Sequence, residues 1–182
     1  MDQHANLKAF FAPARWQASM DRFPLSGFAL VDEINALAPR VVVDVGCGFN
    51  PFKGKIRNLV GIDLVNDAAD LVCDLQAAPF AQASVDVALA LGSINFGTAD
   101  DIVAALRTVQ RWLRPCGCLY MRGNPGEPIG EGIVVFPWSA GQAAALGLAA
   151  GLRLATPVRE EHVVLSTGIA ARRLFWVYVK PA

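Results

Sequence analysis

The chain has 182 residues, 54% of them hydrophobic and 18% charged, with 16 Lys plus Arg against 16 Asp plus Glu. That length suits one compact domain burying roughly 70% of the surface its unfolded chain exposes. The balanced charge argues against the broad positive field that accompanies a large nucleic-acid or anionic-membrane footprint.

Cys47, Cys73, Cys116 and Cys118 show no Cys-x-x-Cys spacing, and His4 and His162 are the only histidines. No metal-ligand signature results, and the cysteines read as reduced core thiols. The first residues, "MDQHANLKAFFAP", carry charge early and lack an apolar run of signal-peptide type. The most apolar later stretch, residues 140–154, contains Gln142 and Arg153 and falls short of the ~20 apolar residues of a membrane span. A soluble, cytoplasmic protein with no membrane partner is the expectation.

In chain order, residues 6–38 read as two or three helical pieces broken at Pro13 and Pro24, with Leu30, Val31, Ile34 and Leu37 spaced as one apolar stripe. Residues 1–38 are thus expected to cap a core formed by 39–182. Strands follow at Val41–Val45, Leu59–Asp63, Leu71–Asp74 and Val85–Leu91, the last with six apolar side chains in seven positions. Thr98 and Asp101 form a capping box for a helix that carries Ile102, Leu106, Val109 and Leu113 on one face and stops at Pro115.

A fifth strand spans Cys118–Arg122, and Ser139 with Gln142 opens a helix that Gly151 can end in a left-handed conformation. Two more strands fall around His162–Leu165 and at Leu174–Val179, joined by "STGIAAR", which is too short for a crossover helix. The predicted fold is α/β and Rossmann-like: a mostly parallel seven-stranded sheet with one antiparallel strand and helices on both faces.

The stretch "VVVDVGCGFNP" ends a buried strand on Asp44 and bends at Gly46 and Gly48. A glycine bend presents backbone N–H groups and a helix start at the carboxyl edge of the sheet, where open α/β folds bind ligands. A dinucleotide loop would need a third glycine at position 51, which is Pro51. Asp63 and Asp74 finish the next two strands, and an acidic side chain at that edge can accept both hydroxyls of a ribose. Three carboxylates in succession suit an ammonium, a ribose and an exocyclic adenine amine along one cationic ligand without phosphate.

These segments, "DVGCGFNP", "VGIDL", "LVCDLQAAPFAQASVDVALA" and "RTVQRWLRPCGCLYMR", resemble the class I S-adenosylmethionine-dependent methyltransferases over roughly residues 40–123. The resemblance implies S-adenosylmethionine as cofactor and S-adenosylhomocysteine as product. It implies that Asp44, Gly46 and Gly48, with Cys47 and Asn50 in the same loop, line the methionine part. By the same resemblance Asp63 holds the ribose, Leu64 packs on the adenine, Asp74 and the Leu75 backbone read its edge, and Gly92 and Ser93 face the methionine end.

The sequence departs from the family at "RPCG", where "KPGG" is usual, and at "GSINFG", where many relatives carry a Leu-Glu-His run. The acceptor side therefore does not carry over. Asn95 and Phe96, on the loop nearest the expected methyl group, are candidates to hydrogen-bond and wall a small-molecule acceptor. No catalytic base identifies itself, and His162, beside Glu160 and Glu161, reads as a surface or packing residue. Cys116 precedes the fifth strand and so does not sit where the nucleophile of cytosine-C5 methyltransferases belongs. The alternative expectation is a methyltransferase-like domain that binds the cofactor or a partner without catalysis.

Overall fold

The structure is a computed structural model that describes residues 3–12, 26–164 and 170–182. Among the described residues there are eight strand segments: β1 (Val42–Val45), β2 (Leu59–Asp63), β3 (Leu71–Val72), β4 (Val85–Ala90), β5 (Leu113–Gly123), β6 (Arg153–Leu154), β7 (Arg159–Val164) and β8 (Ala170–Val179). They form one sheet in the order β3-β2-β1-β4-β5-β8-β6, with β7 also paired to β8. All pairings among β1 to β5 are parallel. β8 runs antiparallel to β5, β6 and β7, so it is the reversed strand.

The predicted seven strands become eight segments because β6 and β7 lie end to end along one edge of β8. Ala155 and Thr156 both donate their N–H to the Val177 carbonyl (2.8 and 3.4 Å). This doubled contact is the mark of a bulge, and Pro157, lacking an N–H, follows it. Leu165 and most of the "STGIAAR" link lie outside the described residues, as do the predicted breaks at Pro13 and Pro24.

Among the described residues four α-helices accompany the sheet: α1 (Gln3–Phe10), α2 (Val31–Ala36) after a 3-10 turn at Ser26–Leu30, α3 (Ala99–Trp112) and α4 (Ala140–Ala149). The Thr98 capping box forms in both directions, with Thr98 Oγ1 accepting from Asp101 N (3.3 Å) and Asp101 Oδ2 accepting from Thr98 N (2.8 Å). Ser139 caps α4 through Gln142 N (3.2 Å), and Gly151 beyond its end has φ +79°.

Strand alternation divides the apolar residues between two cores. Val43, Val45, Ala88, Ala90, Leu119, Met121, Trp176 and Tyr178 pack with Ile102, Leu106 and Val109 of α3 and Ala143 of α4. Val42, Val87, Leu89, Tyr120, Phe175 and Val177 face the other way, onto Leu30, Ile34, Phe52 and Ile56. On that second face the helix start expected after Gly48 does not form. Residues 49–58 instead run as turns, and Phe52 and Ile56 cover the strands there.

"RPCG" also differs from its reading as a turn before the fifth strand. β5 begins at Leu113, opposite Val85, and Cys118 pairs with Val87, so Arg114–Gly117 is an insertion inside the strand. Arg114 is ion-paired with the buried Asp86, and Cys116 takes φ +60°. The reading of all four cysteines as core thiols is corrected accordingly: Cys47 is buried, Cys73 and Cys118 are intermediate and Cys116 is exposed. No helix among the described residues is long and apolar enough to cross a membrane.

Candidate active site

The parallel register brings the carboxyl ends of β1, β2, β3 and β4 to one edge of the sheet, where ligands of open α/β folds bind. A cavity of about 770 Å³ opens there, within the ~300–1,000 Å³ usual for small-molecule sites. Asp44, Gly46, Cys47, Gly48, Asp63, Leu64, Asp74, Leu75, Gly92, Ser93 and Phe96 all line it. Asn50 and Asn95 are not among its lining residues.

The β1 loop is shaped by two glycines at positive φ. Gly46 (φ +67°) lies so close to Ser93 that a Cβ would collide with that side chain, whose hydroxyl donates to the Val45 carbonyl (2.5 Å). Gly48 (φ +57°) differs, since a Cβ there would meet nothing within 4 Å. The first glycine lets two loops touch, and the second keeps a side chain out of the cavity.

Asp44 is 3% exposed, and among the described residues nothing donates a hydrogen bond to its carboxylate. Burial, and then repulsion from Asp63, pushes its pKa up to about 7. An unpartnered carboxylate at the end of β1 is a natural acceptor for a ligand ammonium. Cys47 is likewise pushed up to about 12, by burial and by Asp44, Asp63 and Asp70, so its thiol stays neutral.

Asp63 already does structural work. Its Oδ2 accepts from Gly48 N (2.9 Å), and its Oδ1 accepts from Val65 N and Asn66 N (2.9 Å each). It thereby ties the end of β2 to the β1 loop, and it retains acceptor capacity for a hydroxyl. Asp74 caps the 3-10 turn Leu75–Ala77 through Gln76 N (2.7 Å), and its Oδ2 stands 3.5 Å from His4 Nδ1.

Asn50 (φ +56°) turns away from the cavity to brace the loop, donating to the Ala68 carbonyl (3.2 Å) and to Asp70 Oδ2 (3.3 Å). Asp70 also accepts from Gly61 N (2.8 Å) and Lys53 Nζ (2.6 Å). Although partial burial opposes ionisation, these hydrogen bonds hold the Asp70 carboxyl below the usual range.

Asn95, outside the cavity lining, is also a brace. Its Nδ2 donates to the Arg122 carbonyl (3.2 Å), and its Oδ1 accepts from Asn124 N (2.9 Å). Its own carbonyl accepts from Phe136 N (2.8 Å). Trp138, one side of this network, is buried and donates Nε1–H to the Ile94 carbonyl (3.1 Å).

The N-terminal segment, expected as a cap, roofs the cavity with residues that the sequence did not single out. His4, Leu7 and Phe11 line it from the N-terminal segment, and the Phe11 and Phe96 rings lie 5.5 Å apart. Asn6 donates to the Gly132 carbonyl (3.1 Å), and a Cβ at Gly130 would strike Phe10. The apolar spacing Leu7–Phe10–Phe11 is a signal that could have marked α1 as more than a surface cap. Arg122 and Asp101 also line the cavity, and no sequence pattern singled them out for it.

Residues 43–121 match the family model described as "Methyltransferase domain". Over those residues the chain is similar to the methyltransferase-domain family. The fold recurs in solved structures. The 1,6-didemethyltoxoflavin-N1-methyltransferase of Burkholderia thailandensis superposes with a TM-score of 0.70 at 17% identity, over 98% of this chain and 87% of that one. Magnesium protoporphyrin IX methyltransferase of Synechocystis PCC 6803 superposes at 0.71 and 11% identity, over 99% and 98%. At such identities the likeness is one of fold. In sequence, the domain is 34% identical over 101 residues to the tRNA (carboxymethyluridine(34)-5-O)-methyltransferase ALKBH8 of Macaca fascicularis, an alignment covering 48% of this chain and 15% of that protein.

Proposed function

We propose that this chain, as one domain over 1–182, is an enzyme that transfers the methyl group of S-adenosylmethionine to a small-molecule acceptor. One observation carries the reading: Asp44 and Asp63 near the ends of β1 and β2, and Asp74 two residues beyond β3, line one cavity, where Gly48 and Gly92 leave space that a Cβ would occupy. A cationic, ribose-bearing ligand fits that set of acceptors, because nothing among the described residues donates to the Asp44 carboxylate and Asp63 keeps lone pairs to spare.

When bound, S-adenosylmethionine would supply a methyl group already activated for attack by a lone pair of the acceptor. The chain's part is to bind and orient. Asp44 takes the amine, Asp63 the ribose hydroxyls, Leu64 a face of the adenine, and Asp74 with the Leu75 backbone its edge. Gly92 and Ser93 border the methionine end. Phe96, with Phe11, walls the acceptor and excludes water, while Asn95 and Asn50 hold their loops from behind. Because the methyl group arrives activated, in-line positioning at roughly 3 Å does most of the catalysis. Cys47, held neutral, takes no part as a nucleophile. A cytoplasmic setting belongs to this reading and is supported by four free cysteines.

Calorimetric titration with S-adenosylhomocysteine tests the cofactor site, and binding is expected at micromolar or lower Kd, about −8 kcal/mol. No binding would overturn the reading. Binding without methylation of any compound in a broad metabolite panel would favour the non-catalytic alternative. A second reading, a tRNA nucleoside as acceptor, is supported by the 34% identity to the tRNA enzyme. The balanced charge weighs against it, and salt-sensitive retention of tRNA on a filter would favour it.

A further inference from the structure

Resting on the methyltransferase reading, the chemistry of the acceptor can be narrowed from the charges that line the cavity. Its acidic residues, Asp44, Asp63, Asp74 and Asp101, face a single Lys or Arg among the described lining residues, Arg122. β5 pairs with β4 so that Met121 lies opposite Ala90. Arg122 therefore stands level with Leu91, next to Gly92, and two strands from Asp44, roughly 10 Å across the sheet.

The Arg122 side chain is 11% exposed, and its one ion pair among the described residues joins Nε to Glu161 Oε2 at 3.3 Å. Glu161 is shared with Arg159 (3.3 Å), and the neighbouring Arg173 is taken by Glu127 (2.6 Å). A guanidinium has five N–H donors, and here one nitrogen is engaged while both terminal nitrogens have no hydrogen-bond partner among the described residues. Burial and the nearby Arg159 and Arg173 make this an expensive place for a half-satisfied cation. A carboxylate meets such a fork with two parallel hydrogen bonds. The aromatic rings of Phe11, Phe52 and Phe96 line the same cavity and suit a flat apolar body.

We infer that Arg122 anchors a carboxylate of the methyl acceptor, so that the acceptor class is a small, flat organic acid. The opposite charges at the two ends of the cavity then orient both substrates, with the cation at Asp44 and the acid at Arg122.

The test titrates the protein saturated with S-adenosylhomocysteine with benzoate, 4-hydroxybenzoate and indole-3-acetate, each beside its own neutral carboxamide. Wild type should bind the acids at least tenfold more tightly than the amides. Arg122→Gln should erase that preference and Arg122→Lys should keep part of it, while both hold S-adenosylhomocysteine within threefold of wild type. Acids that bind no better than amides would overturn the inference. So would a tenfold loss of S-adenosylhomocysteine affinity in Arg122→Gln, which would assign the guanidinium to the cofactor's own carboxylate. Failure of the wild type to bind S-adenosylhomocysteine would instead sink the methyltransferase reading beneath it. Circular-dichroism melting checks the fold of each variant, and if Arg122→Gln is unfolded, Arg122→Lys against wild type decides.

Discussion

Asp44→Asn should stabilise the unliganded protein while impairing its ligand site, and the effect should carry a pH signature. The folded protein holds the Asp44 carboxyl at about 7, against an ordinary 3.8. A group whose folded pKa is raised binds more protons in the native state, so stability falls as pH rises between the two values and levels off above the higher one. At 1.36 kcal/mol per pH unit, the raised pKa costs the fold about 4 kcal/mol at pH 8, where Asp44 is buried ionised, and about 1.5 kcal/mol at pH 5, where it takes up a proton on folding. The asparagine avoids this cost but adds its own, about 1–3 kcal/mol for a buried amide without partners.

The variant should therefore gain about 1–3 kcal/mol at pH 8 and little or nothing at pH 5. The difference between wild type and variant should thus grow by about 3 kcal/mol from pH 5 to pH 8. Urea denaturation at the two pH values measures it directly. A cation bound against Asp44 favours the ionised carboxylate, so wild-type affinity for S-adenosylmethionine should rise with pH up to about 7, with a proton released on binding at lower pH. Asp44→Asn should lose that slope along with much of the affinity. A stability difference that is the same at pH 5 and pH 8 would refute the reasoning, since a buried, unpartnered carboxylate must produce the pH dependence.

Asp63→Asn should weaken S-adenosylhomocysteine by about 1.5–3 kcal/mol in calorimetry through loss of a charged acceptor, and it should also lower Tm because three backbone N–H groups rely on that carboxylate. Unchanged affinity would remove Asp63 from the ribose site. Gly48→Ala should cost about 1 kcal/mol or more in stability at φ +57° and weaken the cofactor further by placing a methyl group in the cavity; equal affinity for wild type and variant would mean that the loop does not border the ligand. Asn95→Ala should destabilise the protein by about 1–3 kcal/mol, because it strands the N–H of Asn124 and the carbonyl of Arg122. An unshifted denaturation midpoint would show that the brace is not formed.

Much of the architecture was local enough to read from the chain. The runs of β-branched residues before Asp44 and Asp63, the Thr98–Asp101 box and the Ser139 cap are each decided by neighbours within four residues, and local sterics and hydrogen bonding act at that range. The short link before β8 likewise left only an antiparallel return. The strand ends carrying Asp44, Asp63 and Asp74 could be named because period-two alternation counts residues to the edge of a parallel sheet.

What tertiary structure alone decided depends on partners far along the chain. Asn95 and Asn50 look from sequence like loop residues near a ligand. They became braces because Asn124, 29 residues away, and Asp70, 20 residues away, took their amides. The missing helix after Gly48 follows from Phe52 and Ile56 finding a second core under the sheet. Arg122 is one more residue at a strand end by sequence, and its place beside Glu161 and the cavity arises only when β8 brings β7 to that side of β5. Neither charge pattern nor periodicity encodes which distant segments meet, and burial among them sets the energy of a charge far more than its sequence neighbours do.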